Sequence, residues 1–384
     1  MKTNRMVAVG AASVIGCIMA TAAQSQVRTA GLVTTITLPN QTSQAAGGID
    51  FANAKPMPLP AARTLPPSQT EAIRAARDPA ELFGQSGAAE GEPGNGEKNP
   101  IQLRAPQDIP TGVEPEEFGT SGQVYTTSQA NALGDLTVNY YPFRAAGKLF
   151  FKIGANSFVC SASLIKRGIV VTAAHCVANY GRKQFYTGWQ FVPAEHNGAA
   201  PYGTWTAKSA TILTAYFTGT DNCAQFGVVC PDDVAVLTEN TQGGRYPGTT
   251  TGWFGYGWNG YGYNGSSQAL IAQLGYPVAL DGGLIMERTD SQGFVAGALS
   301  NNTIIGSLMT GGSSGGPWLV NLGMRPSLSG ISFGSAAVHN VVVGATSWGY
   351  TNSAIKQQGA SPFTSGNIVV LVNAVCSATP AACA

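Results

Sequence analysis

The stretch Gly311-Gly312-Ser313-Ser314-Gly315-Gly316-Pro317 decides how this chain is interpreted, together with Thr172-Ala173-Ala174-His175-Cys176 upstream. The first stretch presents a serine hydroxyl in a glycine-rich turn. The second presents an imidazole directly after an apolar run that is typical of a strand. A serine hydroxyl becomes a useful nucleophile only when a base removes its proton, so the two stretches are interpreted as a pair. They predict a nucleophile and its base.

In this order the two patterns resemble the trypsin/chymotrypsin-like serine proteases. The resemblance implies that Ser314 is the nucleophile, that His175 is the general base, and that the amides of Gly312 and Ser314 form the oxyanion hole. Asp232-Asp233-Val234-Ala235-Val236-Leu237 resembles the family's aspartate followed by an apolar strand. Its register selects Asp233 as the residue that orients the imidazole.

The alternative for the serine stretch is a plain Gly/Ser turn. The choice of base is simple because the chain has 3 histidines. His196 lies in a polar loop and His339 precedes a strand, and neither has a motif around it. We therefore interpret both as surface or turn residues and assign the base to His175.

Two segments concern the substrate. Ser347-Trp348-Gly349 resembles the strand that pairs with the substrate backbone, and by resemblance the Ser347 hydroxyl also contacts Asp233. Leu308 stands six positions before Ser314, where trypsin-like enzymes place the base of their specificity pocket. The lack of an acid there argues against cleavage after Arg or Lys. With Met309 and Gly366, Leu308 suggests an uncharged pocket.

The chain departs from the animal-type members of the family at Ser313, where those members carry an aspartate. It also lacks an Ile-Val-Gly-Gly activation site before Tyr140. Gly275-Tyr276-Pro277-Val278 is closer to the bacterial and fungal, glutamyl-endopeptidase-like branch. However, Thr346 occupies the position where glutamyl endopeptidases place a histidine, which argues against a glutamate preference.

The cysteines and the N-terminus indicate export. Lys2 and Arg5, an apolar run to Ala20 and the small residues up to Ala22 are typical of a signal peptide (residues 1–22), so we expect a secreted or periplasmic protein. Lipidation of Cys17 is the alternative. Removal of the signal peptide takes away Cys17 and leaves an even number of cysteines, which in an exported protein implies disulfides. These cysteines are Cys160, Cys176, Cys223, Cys230, Cys376 and Cys383. The family resemblance implies the pair Cys160–Cys176; Cys223 and Cys230 suggest a local bridge, but the pairing of these last four stays open.

Composition divides the rest of the chain. Residues 23–139 are poor in aromatic residues and rich in proline between Pro56 and Pro67, which predicts a poorly structured pro-region or linker; a tail without an inhibitory role is the alternative. From Tyr140 short apolar runs separated by glycine-rich turns predict an all-β fold. The resemblance implies two antiparallel six-stranded β-barrels over residues 140–384, with the active site between them. The stretch 367–375 reads equally as a strand or a terminal helix.

These observations predict an exported serine endopeptidase that forms an acyl-enzyme on Ser314 and acts as a monomer on polypeptides. A net charge of +1 argues against nucleic acid or an anionic membrane as partner, and the apolar run at the N-terminus is too short for an integral span. We expect no metal and no cofactor. The alternatives are a catalytically silent binding or adhesion module on the same fold, or an esterase.

Overall fold

The computed structural model describes residues 25–39, 48–108, 123–131, 136–323, 334 and 336–384. The predicted signal peptide, with Cys17, lies outside these residues. Short strands come first: β1 (Gln26–Ala30), β2 (Val33–Thr37), β3 (Lys55–Pro56), β4 (Ala61–Ala62), β5 (Gly87–Ala89), β6 (Ile101–Gln102) and β7 (Tyr125–Gln129). A second group follows: β8 (Ala146–Ile153), β9 (Asn156–Lys166), β10 (Ile169–Thr172), β11 (Ala178–Asn179), β12 (Gln184–Phe185), β13 (Thr187–Pro193), β14 (Ala199–Ala200), β15 (Trp205–Leu213) and β16 (Ala235–Glu239). The last group is β17 (Gly255–Trp258), β18 (Gln268–Gly275), β19 (Glu287–Ala296), β20 (Asn302–Gly306), β21 (Pro317–Val320), β22 (Val341–Tyr350) and β23 (Gln357–Pro362). The α-helices are α1 (Gln69–Ala75), α2 (Pro79–Phe83), α3 (Thr214–Thr218), α4 (Gly248–Thr251) and α5 (Ile368–Ala378).

The strands close into two antiparallel barrels of six strands each. In the first barrel the neighbours are β15, β13, β8, β9, β10 and β16, and β16 pairs back onto β15. In the second they are β21, β18, β19, β20, β23 and β22, and β22 pairs back onto β21. Closure leaves no long unpaired edge in either ring. The predicted all-β fold with two six-stranded barrels is therefore confirmed.

Strand β10 lies between the interiors of the two barrels. Val170 belongs to the core of the first barrel, whereas Ile169 and Val171 belong to a cluster that includes Leu274 and Leu319 of the second barrel. Successive side chains of a strand point to opposite faces, so a run of consecutive apolar residues is what a strand buried on both sides requires. The end of β10 is thereby placed where the barrels meet.

The described part of residues 23–139 differs from the poorly structured segment that its composition predicts. Strand β2 pairs with β15, β3 with β9, β4 with β22, β5 with β17 and β7 with β19. These strands order by adding to the barrels, so their backbone groups find partners although the segment has no large core of its own. A capping box begins α1: the Ser68 side chain accepts from the Glu71 amide, and the Glu71 side chain accepts from the Ser68 amide. Whether the segment acts as a pro-region or a linker stays a prediction.

The C-terminal stretch is the helix α5, so the alternative of a strand there is wrong. Its buried residues Ile368, Leu371, Val372 and Val375 follow helical spacing, and Asn367 caps the first turn. Burial of each such side chain contributes ~1.5–3 kcal/mol. In the part of the chain that is described, no helix combines the length and the apolar character that a membrane crossing requires.

The six predicted cysteines form three disulfides, Cys160–Cys176, Cys223–Cys230 and Cys376–Cys383. The first joins β9 to the turn after β10. The second closes the loop before β16, as the local spacing suggests. The third joins the end of α5 to the residues that follow it.

Candidate active site

His175 lies in a single 3-10 turn, Ala174–Cys176, that follows β10. Its side chain is almost fully buried, at 5% exposure. The disulfide from Cys176 to Cys160 holds this turn against the neighbouring strand. The turn is further fixed by the Trp189 indole, which donates to the Cys176 carbonyl at 3.3 Å. The imidazole therefore occupies a defined position at the junction of the barrels.

Asp233 lies two residues before the start of β16 and is 2% exposed. Its Oδ1 accepts the backbone amide of His175 at 2.8 Å, and its Oδ2 lies 2.8 Å from His175 Nδ1. The Ser347 hydroxyl on β22 donates to the same Oδ2 at 2.5 Å. This carboxylate is thus bound by residues of both barrels, and it holds the ring with Nε2 turned away from it.

Ser314 lies in the turn before β21 and is fully buried. The next residue, Gly315, has φ +78°, and a Cβ there would meet the Ser161 carbonyl at 2.5 Å and the Ala173 amide at 2.9 Å. Only glycine permits this conformation and this approach together. Because Ala173 is two residues before His175, the close contact places the serine turn of the second barrel beside the histidine turn of the first.

Two atoms of the site stand without hydrogen-bond partners. Ser314 Oγ and His175 Nε2 are both buried, and neither donates to or accepts from another group, including each other. Buried polar atoms are nearly always paired, so an unpaired one calls for an explanation, and a catalytic role is one such explanation. In unliganded enzymes the bond between nucleophile and base is often long and tightens only with substrate.

Ser161 was not identified from the sequence, although it organises the serine turn. Its hydroxyl donates to the Gly312 carbonyl at 2.9 Å and accepts the Tyr276 amide at 3.0 Å. Its own amide donates to the Ser314 carbonyl at 2.7 Å. The one sequence signal for Ser161 is its position next to Cys160. Its contacts leave no local pattern, because they join it to residues that are distant in the sequence.

Some of the predicted substrate residues line a cavity of about 460 Å³. Leu308, Met309 and Gly349 line it, but Gly366 does not and instead lies just before α5. Trp348 directs its side chain into the core, where its indole donates to Asn302. Lys356 is also among the lining residues, so the described lining includes one charged side chain beside its apolar and neutral polar ones.

Thr346, which replaces the histidine of glutamyl endopeptidases, belongs to a buried hydrogen-bond network. Its hydroxyl accepts from the Gln273 amide at 2.8 Å and from the Trp318 indole at 2.9 Å. Gln358 joins this network and also donates to the Met309 carbonyl at 2.7 Å. The wall behind the cavity is therefore built of neutral polar groups that are bonded to each other.

An acidic pair, Asp221 and Asp232, flanks the loop closed by the Cys223–Cys230 disulfide, just upstream of Asp233. The Asp232 amide donates to the Asp221 carboxylate at 3.0 Å. Burial raises the pKa of Asp221 to about 7, with a further contribution from the nearby charge of Asp232, and burial raises the pKa of Asp232 to about 6. The carboxyl groups of Asp221 and Asp232 therefore titrate near neutral pH. The carboxylate that contacts the His175 ring is that of Asp233.

Two groups of residues in the described chain have the spacing of metal ligands, Cys160 with His175 and Cys176, and Asp221 with Cys223 and Cys230. Both groups include the two cysteines of one disulfide. Disulfide sulfurs are not thiolate ligands, so each group offers one ordinary ligand rather than three.

The trypsin family model matches residues 137–216, a stretch that contains His175 and ends before Asp233 and Ser314. A search of curated proteins gives no match to this chain. Among solved structures, the protease Anisep from Arthrobacter nicotinovorans is 25% identical, with a TM-score of 0.49, over 61% of this chain and 96% of that one. A thermostable serine protease, AL20, from an extremophilic microorganism is 24% identical, with a TM-score of 0.46, over 58% and 93% of the two chains. A Glu endopeptidase in complex with MPD is 17% identical, with a TM-score of 0.44, over 68% and 98%.

Proposed function

We propose that this chain is an exported trypsin/chymotrypsin-like serine endopeptidase and that Ser314, His175 and Asp233 are its catalytic residues. The observation that carries the assignment is the buried His175–Asp233 pair, whose free Nε2 lies in the same site as the unpaired Ser314 hydroxyl. The three disulfides support an oxidising compartment.

The two contacts of Asp233 define the tautomer of the base. Because the carboxylate accepts from Nδ1, the ring proton resides on Nδ1 and Nε2 carries a lone pair. That lone pair accepts the Ser314 proton as Oγ attacks the peptide carbonyl. The imidazolium so formed is stabilised by the Asp233 carboxylate and returns the proton to the leaving amine. Water then hydrolyses the acyl-enzyme on Ser314 by the same route.

The developing oxyanion is bound by the amides of Gly312 and Ser314. Gly312 has φ +94°, and its Cβ, if present, would meet the Tyr276 carbonyl at 2.5 Å, so glycine is required to turn this amide into the site. The Gly312 amide already donates to a carbonyl oxygen, that of Met57, at 3.1 Å. Loss of one such donor typically lowers the rate ~10²–10³-fold.

The substrate is a polypeptide whose apolar side chain enters the cavity beside Leu308 and Met309. Gly349 leaves the entrance open because it has no side chain. The neutral network around Gln358 supplies no carboxylate to bind a basic side chain. Lys356 provides the single charge among the described lining residues, which disfavours arginine and lysine further.

The proposal is tested with a fluorophosphonate probe and mass spectrometry of the full chain. We expect phosphonylation on Ser314 that is lost in Ser314→Ala. Ser313→Ala is the matched control, since Ser313 is equally buried but donates to the Thr310 carbonyl, and it should retain labelling. Labelling that persists in Ser314→Ala would contradict the assignment. Hydrolysis of small esters without cleavage of unfolded casein would indicate an esterase instead.

A further inference from the structure

A segment that follows the predicted signal peptide passes through the proposed active site. Residues 55–62, here called the cleft segment, first pair with β9 of the first barrel through β3 and then with β22 of the second barrel through β4. Both pairings are parallel. The segment therefore crosses from one barrel to the other over the site where Ser314 and His175 are buried.

The cleft segment engages the backbone groups that a substrate would need. The Gly312 amide donates to the Met57 carbonyl at 3.1 Å, and the Gly349 amide donates to the Pro60 carbonyl at 2.9 Å. Further contacts run from the Met57 amide to the Val159 carbonyl at 2.8 Å and from the Thr351 amide to the Ala62 carbonyl at 3.0 Å. A polypeptide substrate cannot use the first two amides while these bonds persist.

Residues of the cleft segment also form one wall of the specificity cavity. Pro56, Pro58, Leu59 and Ala61 are part of its lining. Leu59 lies against Gly349 so closely that a Cβ at that position would be 2.8 Å from its Cδ2. An apolar side chain thus sits at the entrance that the proposed function assigns to the substrate.

Alternating prolines suit this segment to occupy the cleft. Pro56, Pro58 and Pro60 restrict the chain to extended conformations, which lowers the entropy lost when it binds. The prolines lack amide hydrogens, so in the contacts named above the segment bonds to the barrels through its carbonyls and the Met57 amide.

We propose that residues 55–62 are an intramolecular inhibitor that covers the substrate cleft, with Leu59 as its anchor against Gly349 at the wall of the specificity cavity. The inference rests on the proposed function of Ser314 and adds its regulation. The protease becomes active when this segment is displaced or cut away, and a peptide of the same sequence binds the opened cleft in trans.

The test compares the full chain with Leu59→Arg, and Leu65→Arg is the control because Leu65 is 71% exposed outside the cleft segment. Intact mass first establishes that each chain retains residues 55–62. We expect fluorophosphonate labelling of Ser314 to be about tenfold faster in Leu59→Arg, because the segment loses the binding free energy of one half-buried leucine side chain. The labelling rate should be unchanged in Leu65→Arg.

Hydrogen–deuterium exchange shows separately whether the segment has left. The amides of Gly349 and Thr351 should exchange faster in Leu59→Arg, since their acceptors belong to the cleft segment. A synthetic peptide of residues 54–63, at millimolar concentration, should slow labelling of that variant, whereas the same peptide with arginine in place of Leu59 should not.

The outcomes separate the two proposals. If the Gly349 and Thr351 amides exchange faster in Leu59→Arg but Ser314 is labelled at the same rate as in the full chain, the segment does not inhibit, although Ser314 remains the nucleophile. Faster exchange with no labelling in any chain would refute the proposed function of Ser314. Unchanged exchange in Leu59→Arg would overturn the role of Leu59 as the anchor of the segment.

Discussion

Replacing Asp233 by asparagine tests how the base is held. Asp233 Oδ1 accepts the His175 backbone amide, which can only donate, while Oδ2 faces His175 Nδ1 and the Ser347 hydroxyl. The single oxygen of asparagine must therefore stay against the backbone amide, and its NH2 group takes the place of Oδ2. That NH2 donates to Nδ1, so the ring proton moves to Nε2.

An imidazole that is protonated on Nε2 cannot accept the Ser314 proton. A wrong tautomer of this kind typically lowers the turnover rate by ~10⁴, or ~5.4 kcal/mol in activation free energy. The assay is the second-order rate constant of fluorophosphonate labelling, followed by intact mass. It is measured in the Leu59→Arg background so that access to the cleft does not limit the rate.

Asp232→Asn is the matched control because Asp232 is the adjacent residue and has its carboxylate outside the contacts of His175. We expect its labelling rate to stay within about threefold of the parent chain. Thermal unfolding shows that both variants are folded. An Asp233→Asn chain that is folded and keeps more than about a tenth of the parent rate would refute the tautomer argument.

Three further predictions concern stability. Replacing Cys160 and Cys176 by alanine removes a bridge across 16 residues and should lower the free energy of unfolding by ~3 kcal/mol, measured by urea titration. Gly315→Ala should cost at least ~2 kcal/mol more than Gly154→Ala, because both positions have positive φ but only Gly315 also faces a backbone carbonyl at 2.5 Å; equal losses would contradict the steric argument. Burial raises the folded pKa of Asp221 to about 7, above ~3.9 in the unfolded chain, so its contribution to stability is present below pH ~4 and is lost as pH rises through 7. Asp221→Asn should therefore lessen the fall in Tm between pH 5 and pH 8, and an unchanged pH profile would contradict the shift.

The site residues that the sequence predicted are those encoded by local constraints. The turn at Ser314 needs glycine at fixed neighbouring positions, and His175 follows a strand buried on both faces, so both leave a pattern in a short window. Ser161 leaves none, because its contacts to Gly312 and Tyr276 join residues more than 100 positions apart. Gly366 was placed in the specificity pocket by its position in the sequence, but the loop before α5 carries it elsewhere.

The helix α5 was left ambiguous for a related reason. An apolar run of this length fits a buried strand as well as a helix, and periodicity alone does not separate them. The positions that face the core, Ile368, Leu371, Val372 and Val375, become distinguishable from the others only when the surface that α5 packs against is known.

The order of the N-terminal segment could not be predicted because composition measures only a segment's ability to build its own core. β3 and β4 instead use free strand edges: β10 pairs with β9 only from Ser163 onward, and β21 pairs with β22 only as far as Ala345. Beyond those points β9 is paired on one edge only, to β8, and β22 on one edge only, to β23; the added strands pair with the other edge, at Phe158 and Gly349. Neither pairing is needed to close a barrel, since both rings of six strands are complete without β3 and β4. The cleft segment can therefore be lost without opening either barrel, which is what an inhibitor that must be released requires.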